Sequence, residues 1–328
     1  MEACPTGLCS VASLAAGEDP VGTATAVDLL LVVEVSLPWE REIWRSPDFP
    51  TGLFDIYTPA RTGERKLALL CVAPDPEYSQ PGLRRLMVLR RPEGPFAAYA
   101  REEYLVPDGQ FLPLVGAVLA GSPLEGFSAW RQDVSGVRDL MVCTHGSVDA
   151  ACGRYGIPLY DQLRREVAPA VPGLRAWRVS HFGGHRFAAT ALELPDMRFW
   201  AHLEPGPLSL LIRRDGSPAE VRRHYRGWGG LATPFEQALE REILVREGWN
   251  WLDYDKEGRV LRLSADGTEA SVSIAFRSPD GARVGTYQGR VAIGHSVTTV
   301  TATGKGPASV PQYVVLEIME RPRPRQQA

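Results

Sequence analysis

Positive charge in this 328-residue chain is hardly ever lysine: Lys66, Lys256 and Lys305 are the only three among 36 basic residues. The bias reads as overall composition rather than as a phosphate-binding device. The net charge of −3 gives no field that would favour nucleic acid or an anionic membrane. Long apolar runs are missing too. The strongest, Ala26–Val35, is interrupted by Asp28 and Glu34 and is far shorter than the ~20 residues a spanning helix needs. No basic segment followed by an apolar stretch opens the chain, so a cytoplasmic protein is expected rather than a secreted one. Cysteine is sparse and odd in number, five in all. In a reducing compartment that count argues against a disulfide framework and leaves metal binding as the use to test. Neither Cys-x-x-Cys, a phosphate-cradling glycine loop, a dinucleotide fingerprint nor a Ser–His–Asp order is present. None of those kinds of catalysis is suggested by the chain.

What is there is an ordinary globular composition, 44% hydrophobic and 23% charged, in a chain long enough for two or three packed units. Residues 1–20 read as irregular, and Asp19–Ala24 as a loop. Leu29–Val35, Lys66–Ala73 and Arg85–Leu89 read as buried strands, and Phe111–Ala120 has room for a helix. Val137–His145 resumes a strand. Ile157–Val167 spaces Leu159, Leu163 and Val167 along one helical face. Arg175–Ser180 is a further strand, and Phe187–Leu194 with Phe199–Leu203 read as a hairpin around Pro195-Asp-Met. Pro205–Pro218 reads as a break. Beyond it, Pro234–Glu247 has an amphipathic pattern, with Phe235, Leu239 and Ile243 on one side. Short strands follow at Val260–Leu263, Ala270–Phe276, Arg283–Ile293, Ser296–Thr303 and Val310–Met319, with a disordered tail from Arg321. The fold class is α/β, in three portions: 1–135 as an N-terminal α/β portion, 136–205 as a small strand–helix–strand unit, and 206–328 as an α+β appendage with an antiparallel sheet.

Chemistry concentrates between Cys143 and His185. Cys143-x8-Cys152 supplies two soft thiolate candidates, and His181-Phe-Gly-Gly-His185 supplies two imidazoles. His-x3-His alone is weak, because such pairs occur by chance on helices. Gly183-Gly184 opposes a helix there and favours a tight loop presenting both rings. Glycine-rich loops also let backbone pass close to inorganic sulfide and offer it N–H groups. Four such ligands suit an iron–sulfur cluster, and they suit a Cys2His2 zinc site equally well.

Cys143-x8-Cys152 followed by His181-x-Gly-Gly-His185 resembles the sucrase/ferredoxin-like family of thioredoxin-like [2Fe–2S] proteins. Asp19-Pro-Val-Gly-Thr-Ala24 and Leu37-Pro-Trp39 resemble its N-terminal portion, so the resemblance covers roughly residues 4–205. That family commonly carries arginines where this chain has Val148 and Ala151. The resemblance implies a thioredoxin-like ferredoxin fold, with residues 136–205 as the cluster domain. It also implies a [2Fe–2S] cluster in which Cys143 and Cys152 bind one iron and His181 and His185 the other. Neutral imidazoles in place of thiolates leave the cluster less negative and raise its potential. Their outer N–H groups then couple electron uptake to proton uptake. Redox partner proteins follow, with an NAD(P)H-dependent flavin reductase as the expected donor; neither nucleic acid nor membrane is an expected partner.

Two alternatives stand beside the electron carrier: a zinc-stabilised interaction module, and a thioredoxin-like thiol oxidoreductase using Cys143 as nucleophile. Cys143-Thr-His145 has the look of half a Rieske box, but Cys152-Gly-Arg-Tyr155 supplies no second half, so His145 is expected in the loop or behind the ligands. Asp149 reads as a turn former, and Arg154 and Arg186 as flanking charges able to steer an acidic partner. Cys4 and Cys9 are expected to be structural, Cys71 to be core, and Trp228, Trp249 and Trp251 to be core aromatics. Nothing in the chain resembles a sugar-cleaving site.

Overall fold

The computed structural model describes residues 7–63 and 65–322. The expectations for Cys4 and for the tail beyond Pro322 fall outside these residues. In chain order the elements are α1 (Cys9–Ala15), β1 (Leu29–Glu34), α2 (Leu53–Arg61), β2 (Leu67–Val72), β3 (Leu83–Arg90), β4 (Ala100–Pro107), α3 (Asp108–Ala120), β5 (Arg138–Cys143), α4 (Ala150–Gln162) and β6 (Leu174–Val179). Then come β7 (Ala191–Leu194), β8 (Arg198–Trp200), α5 (Pro205–Arg213), β9 (Tyr225–Trp228), α6 (Pro234–Glu247), β10 (Asp255–Leu263), β11 (Glu269–Arg277), β12 (Val284–Val300) and β13 (Pro307–Pro322). This is the α/β class that the sequence implies.

Two compact units divide the chain at other points than the three portions read from the sequence. One, here the central unit, joins Val27–Arg91 to Tyr99–Gly183; the other, the flanking unit, takes the chain up to Ala26, Pro92–Ala98 and everything from Gly184. In the central unit the strand order is β4-β3-β1-β2-β6-β5, so strands from both sides of residue 135 share one sheet. β1 lies between antiparallel β3 and parallel β2, and all six of its residues are buried. That is why its sequence, Leu-Leu-Leu-Val-Val-Glu, is a run rather than an alternation. Leu29, Leu31 and Val33 meet Leu53 and Tyr57 of α2 and Phe111, Leu114 and Val118 of α3 in one core cluster.

The same sheet buries a set of charges. Glu103 on β4 pairs with Arg85 on β3, with Arg101 at 2.5 Å and with Arg175 on β6 at 2.8 Å. Asp139 on β5 takes Arg101 at 2.6 Å, Arg175 at 2.8 Å and the indole N–H of Trp177 at 2.6 Å. Burial alone would raise the Glu103 carboxyl; Arg175, Arg85 and Arg101 outweigh it and hold it down at about 2. A folded-state value below the unfolded ~4.3 means that Glu103 stabilises the fold above that unfolded value. The contribution, on the order of 3 kcal/mol, is lost as pH falls from about 5 towards 2. Unfolding midpoints measured across that range should decline steeply in the wild type. Glu103→Gln, already destabilised at neutral pH, should show a distinctly flatter acid limb; equal limbs would contradict this account.

The flanking unit contains the antiparallel meander β7-β8-β9 and a four-stranded sheet in the order β10-β11-β12-β13. Five readings change here. Residues 9–15 are helical, not irregular. Pro205 begins α5 instead of breaking the chain, because proline at the first helical position lacks only an N–H that would be unsatisfied anyway. The strands expected at Arg283–Ile293 and Ser296–Thr303 are one, β12, with a register shift at Ile293/His295 between the two expected stretches. β13 in turn carries Arg321 and Pro322, the start of the expected tail. α6 has its expected limits and a Thr233–Glu236 capping box, yet it is buried on nearly every side. Its polar positions have partners inside: Glu240 with Arg198 at 3.0 Å, Arg241 with Asp19 at 2.6 Å, and Gln237 with the Ala24 backbone. Trp228, Trp249 and Trp251 are core, as expected.

Candidate metal centre

β5 and β6 run parallel and in register, Cys143 opposite Val179, with α4 as the crossover between them. Parallel pairing places both C-terminal strand ends at one edge of the sheet. Cys143 closes β5, and His181 follows β6 by two residues. The Thr144 N–H donates to the Val179 carbonyl at 3.1 Å and extends the pairing to that edge. The chain then turns through residues 145–148 and enters α4 at Asp149, whose Oδ1 accepts from the Ala151 N–H at 2.9 Å. Asp149 is therefore a helix cap, a sharper version of the turn role expected for it.

Cys152 accordingly stands in the first turn of α4 and not in an extended loop with Cys143. The helix starts seven residues before the apolar face that announced it, because Ala150-Ala-Cys-Gly carries too little hydrophobic pattern to mark it. A helix N-terminus favours a thiolate. One turn on, Gly156 lies flat against the end of β5: a Cβ there would stand 1.9 Å from the Cys143 carbonyl oxygen. Only glycine permits that approach.

Across the gap, His181 Nδ1 lies 3.8 Å from Cys143 Sγ and 3.7 Å from Cys152 Sγ. The three potential ligand atoms fall within 4.8 Å of one another. Both thiols are buried, and the ring is half-buried. A hydrogen bond from Cys152 is the largest influence holding the Cys143 thiol well below the usual thiol range; His181 adds to it against the burial that would raise it.

His145 stands behind this trio. Its Nδ1 accepts from the His181 N–H at 3.2 Å, and its Nε2 donates to the Glu40 carbonyl at 2.8 Å. Burial pushes this imidazole down, in keeping with a neutral ring that accepts at one nitrogen and donates at the other. With both nitrogens occupied, His145 orients the His181 backbone and is not a ligand. The Trp39 ring meets it edge-on at 5.5 Å, the Trp39 carbonyl accepts from Ser147 at 2.8 Å, and Arg41 reaches the Val148 carbonyl at 3.1 Å. The 37–41 turn thus cradles the cysteine loop.

Gly183 and Gly184, at φ 89° and 82°, make the tight turn expected from the sequence and lead into a single 3-10 turn, His185–Phe187. His185 belongs to the flanking unit, where its Nδ1 lies 3.5 Å from Cys9 Sγ on α1. Cys9, expected to be structural, is fully buried. No spacing rule connects positions 176 residues apart; the fold alone brings them together. Arg186, read as a flanking surface charge, is committed to buried Glu18 at 2.7 Å, whereas Arg154 is exposed. Cys71 is core, its thiol pushed far up by burial.

Two thiols and an imidazole at one sheet edge of the central unit, Cys143, Cys152 and His181, form a donor group suited to a soft or borderline metal. Among the described residues no helix is long and apolar enough to cross a membrane. Neither the curated proteins nor the solved structures contain a match to this chain. The family model described as sucrase/ferredoxin-like matches residues 20–227, well over half of the chain, including all four sequence-predicted ligands. The chain belongs to the sucrase/ferredoxin-like family.

Proposed function

We propose that this protein transfers electrons through a [2Fe–2S] cluster held by Cys143, Cys152, His181 and His185. One observation carries the metal-centre part of this reading: two buried thiols, one of them drawn towards the thiolate, converge on the His181 ring at 3.7 and 3.8 Å; the sucrase/ferredoxin-like membership is what favours a cluster over a single ion. The four-residue link from His181 keeps His185 within about 14 Å of it, since an extended chain covers at most ~3.6 Å per residue. When bound, the cluster supplies one-electron chemistry, at a potential raised by imidazole ligation. The residues do the rest. Cys143 and Cys152 give the anionic charge, and His145 keeps the His181 backbone in place. The imidazoles hold outer protons that follow the electron. The midpoint should become more negative as pH rises through the neutral range, because reduction favours the protonated ring.

A single zinc ion is the second reading, and the spacing favours it directly. Ligands at 2.3 Å (sulfur) and 2.0–2.1 Å (nitrogen) on one tetrahedral ion stand about 3.5 Å apart, close to the distances seen. A two-iron cluster is wider and requires the ring and the thiols to part. The thiol-oxidoreductase alternative gains no support from cysteines this deeply buried. Protein purified anaerobically should be brown and carry iron and acid-labile sulfide in equal amounts, near two of each per chain. Colourless, zinc-loaded protein without sulfide would replace the electron carrier by the zinc module. The electron donor, by this reading, is a reduced flavoprotein.

A further inference from the structure

We infer that Cys9 is a positioning residue for His185: its sulfur takes the ring's Nδ1 and thereby assigns metal coordination to Nε2. The inference rests on the metal-centre reading above and concerns a residue ahead of the segment that the family model matches.

α1 holds the His185–Phe187 turn through one face. Cys9 and Ser13 are four residues apart, so they project side by side from the helix. Cys9 Sγ lies 3.5 Å from His185 Nδ1, within hydrogen-bond range for sulfur. Ser13 donates to Glu18 at 2.7 Å, and Glu18 holds Arg186, the next residue, at 2.7 Å. Cys9, Ser13 and Glu18 are all buried, and the Cys9 N–H is anchored on Thr303 Oγ1 at 3.2 Å. A seven-residue helix with no side-chain cap has little intrinsic stability; it is held by its contacts to this turn and to β12.

The two histidines then face their tasks differently. His181 turns Nδ1 towards the thiols of Cys143 and Cys152. His185 turns Nδ1 towards Cys9. A ligating imidazole characteristically donates its other N–H to an acceptor, which fixes the tautomer and aims the lone pair. Here the acceptor is a thiol sulfur instead of the more usual carboxylate or carbonyl. His181 would bind through Nδ1 and His185 through Nε2, so the pair is not equivalent.

The test uses the full chain as wild type, Cys9→Ser, Cys9→Ala and His185→Ala, in two readouts. In metal-free protein labelled with 15N-histidine, nitrogen-proton correlation spectra report the tautomer of His185. Wild type and Cys9→Ser should hold the proton on Nδ1, and Cys9→Ala should lose that preference. In protein reconstituted with iron and sulfide, Cys9→Ala should keep its iron but bind it roughly ten- to hundredfold more weakly. Its visible spectrum and midpoint should shift, and Cys9→Ser should restore both. The same His185 tautomer in wild type and Cys9→Ala would overturn the inference. So would iron loss from Cys9→Ser as complete as that from His185→Ala, which would make Cys9 a ligand. Wild type that takes up no metal would refute the metal-centre reading, while the metal-free tautomer comparison would still decide the role of Cys9.

Discussion

Gly156→Ala is expected to cost the protein its metal centre while leaving most of the fold intact. The added methyl would stand 1.9 Å from the Cys143 carbonyl oxygen, so α4 and the end of β5 must separate by about 1 Å or more to reach ordinary contact. The two thiols are carried on those two elements, Cys143 at the end of β5 and Cys152 one turn before Gly156. Parting them opens the donor set that His181 closes. We expect metal affinity to fall by at least tenfold and stability by about 1–3 kcal/mol, the usual cost of overpacking. Gly116→Ala on α3 is the control: a Cβ there meets nothing within 4 Å. A helix-interior Gly→Ala change with open space should stabilise by about 0.5–1 kcal/mol. Titrating metal into both variants and following thermal unfolding separates the two effects. Unchanged metal affinity in Gly156→Ala would show that the close approach does not set the ligand geometry.

A second series separates ligands from the groups behind them. Cys143→Ala, Cys152→Ala and His181→Ala should each cause the largest losses of metal affinity, because each removes a donor atom from the group that lies within 4.8 Å. His145→Ala should behave differently. It removes the acceptor for the His181 N–H and the donor to the Glu40 carbonyl, leaving the ligand atoms in place. Losses of roughly ten- to hundredfold in affinity are typical for such outer partners, with metal still bound at saturation. His145→Ala that loses metal as completely as His181→Ala would make His145 a ligand, contrary to its two hydrogen bonds.

Much of this was legible in the chain. The buried central strand announced itself as an unbroken apolar run, and β5, β6 and the β7–β8 hairpin fell close to where patterning put them. The four candidate ligands stand out in the sequence as a cysteine pair and a histidine pair, of which the fold gathers Cys143, Cys152 and His181 into one group, and the Gly-Gly insert excludes a helix between the histidines. What escaped notice has physical causes. α1 is short and made mostly of small residues, so it has no amphipathic signature; it is held by tertiary contacts to the His185–Phe187 turn and to β12. The start of α4 was hidden because alanine, cysteine and glycine carry little hydrophobic pattern, although Asp149 marked the cap. Gly156 looked like an ordinary helix glycine until the neighbouring strand was in view. α6 was read as one-sided because buried Glu240, Arg241 and Gln237 look solvent-facing until their partners, far away in sequence, are known. The 135/136 boundary followed chemistry, which begins there, whereas the sheet runs through it.

Iron-edge X-ray absorption on anaerobically prepared, reduced and oxidised protein tests the central claim most directly. An iron environment of sulfur with a minority of nitrogen neighbours is expected, with a short iron–iron vector that survives reduction. Iron absent, iron surrounded by oxygen alone, or a zinc edge with a single sulfur–nitrogen shell and no metal–metal vector would contradict it.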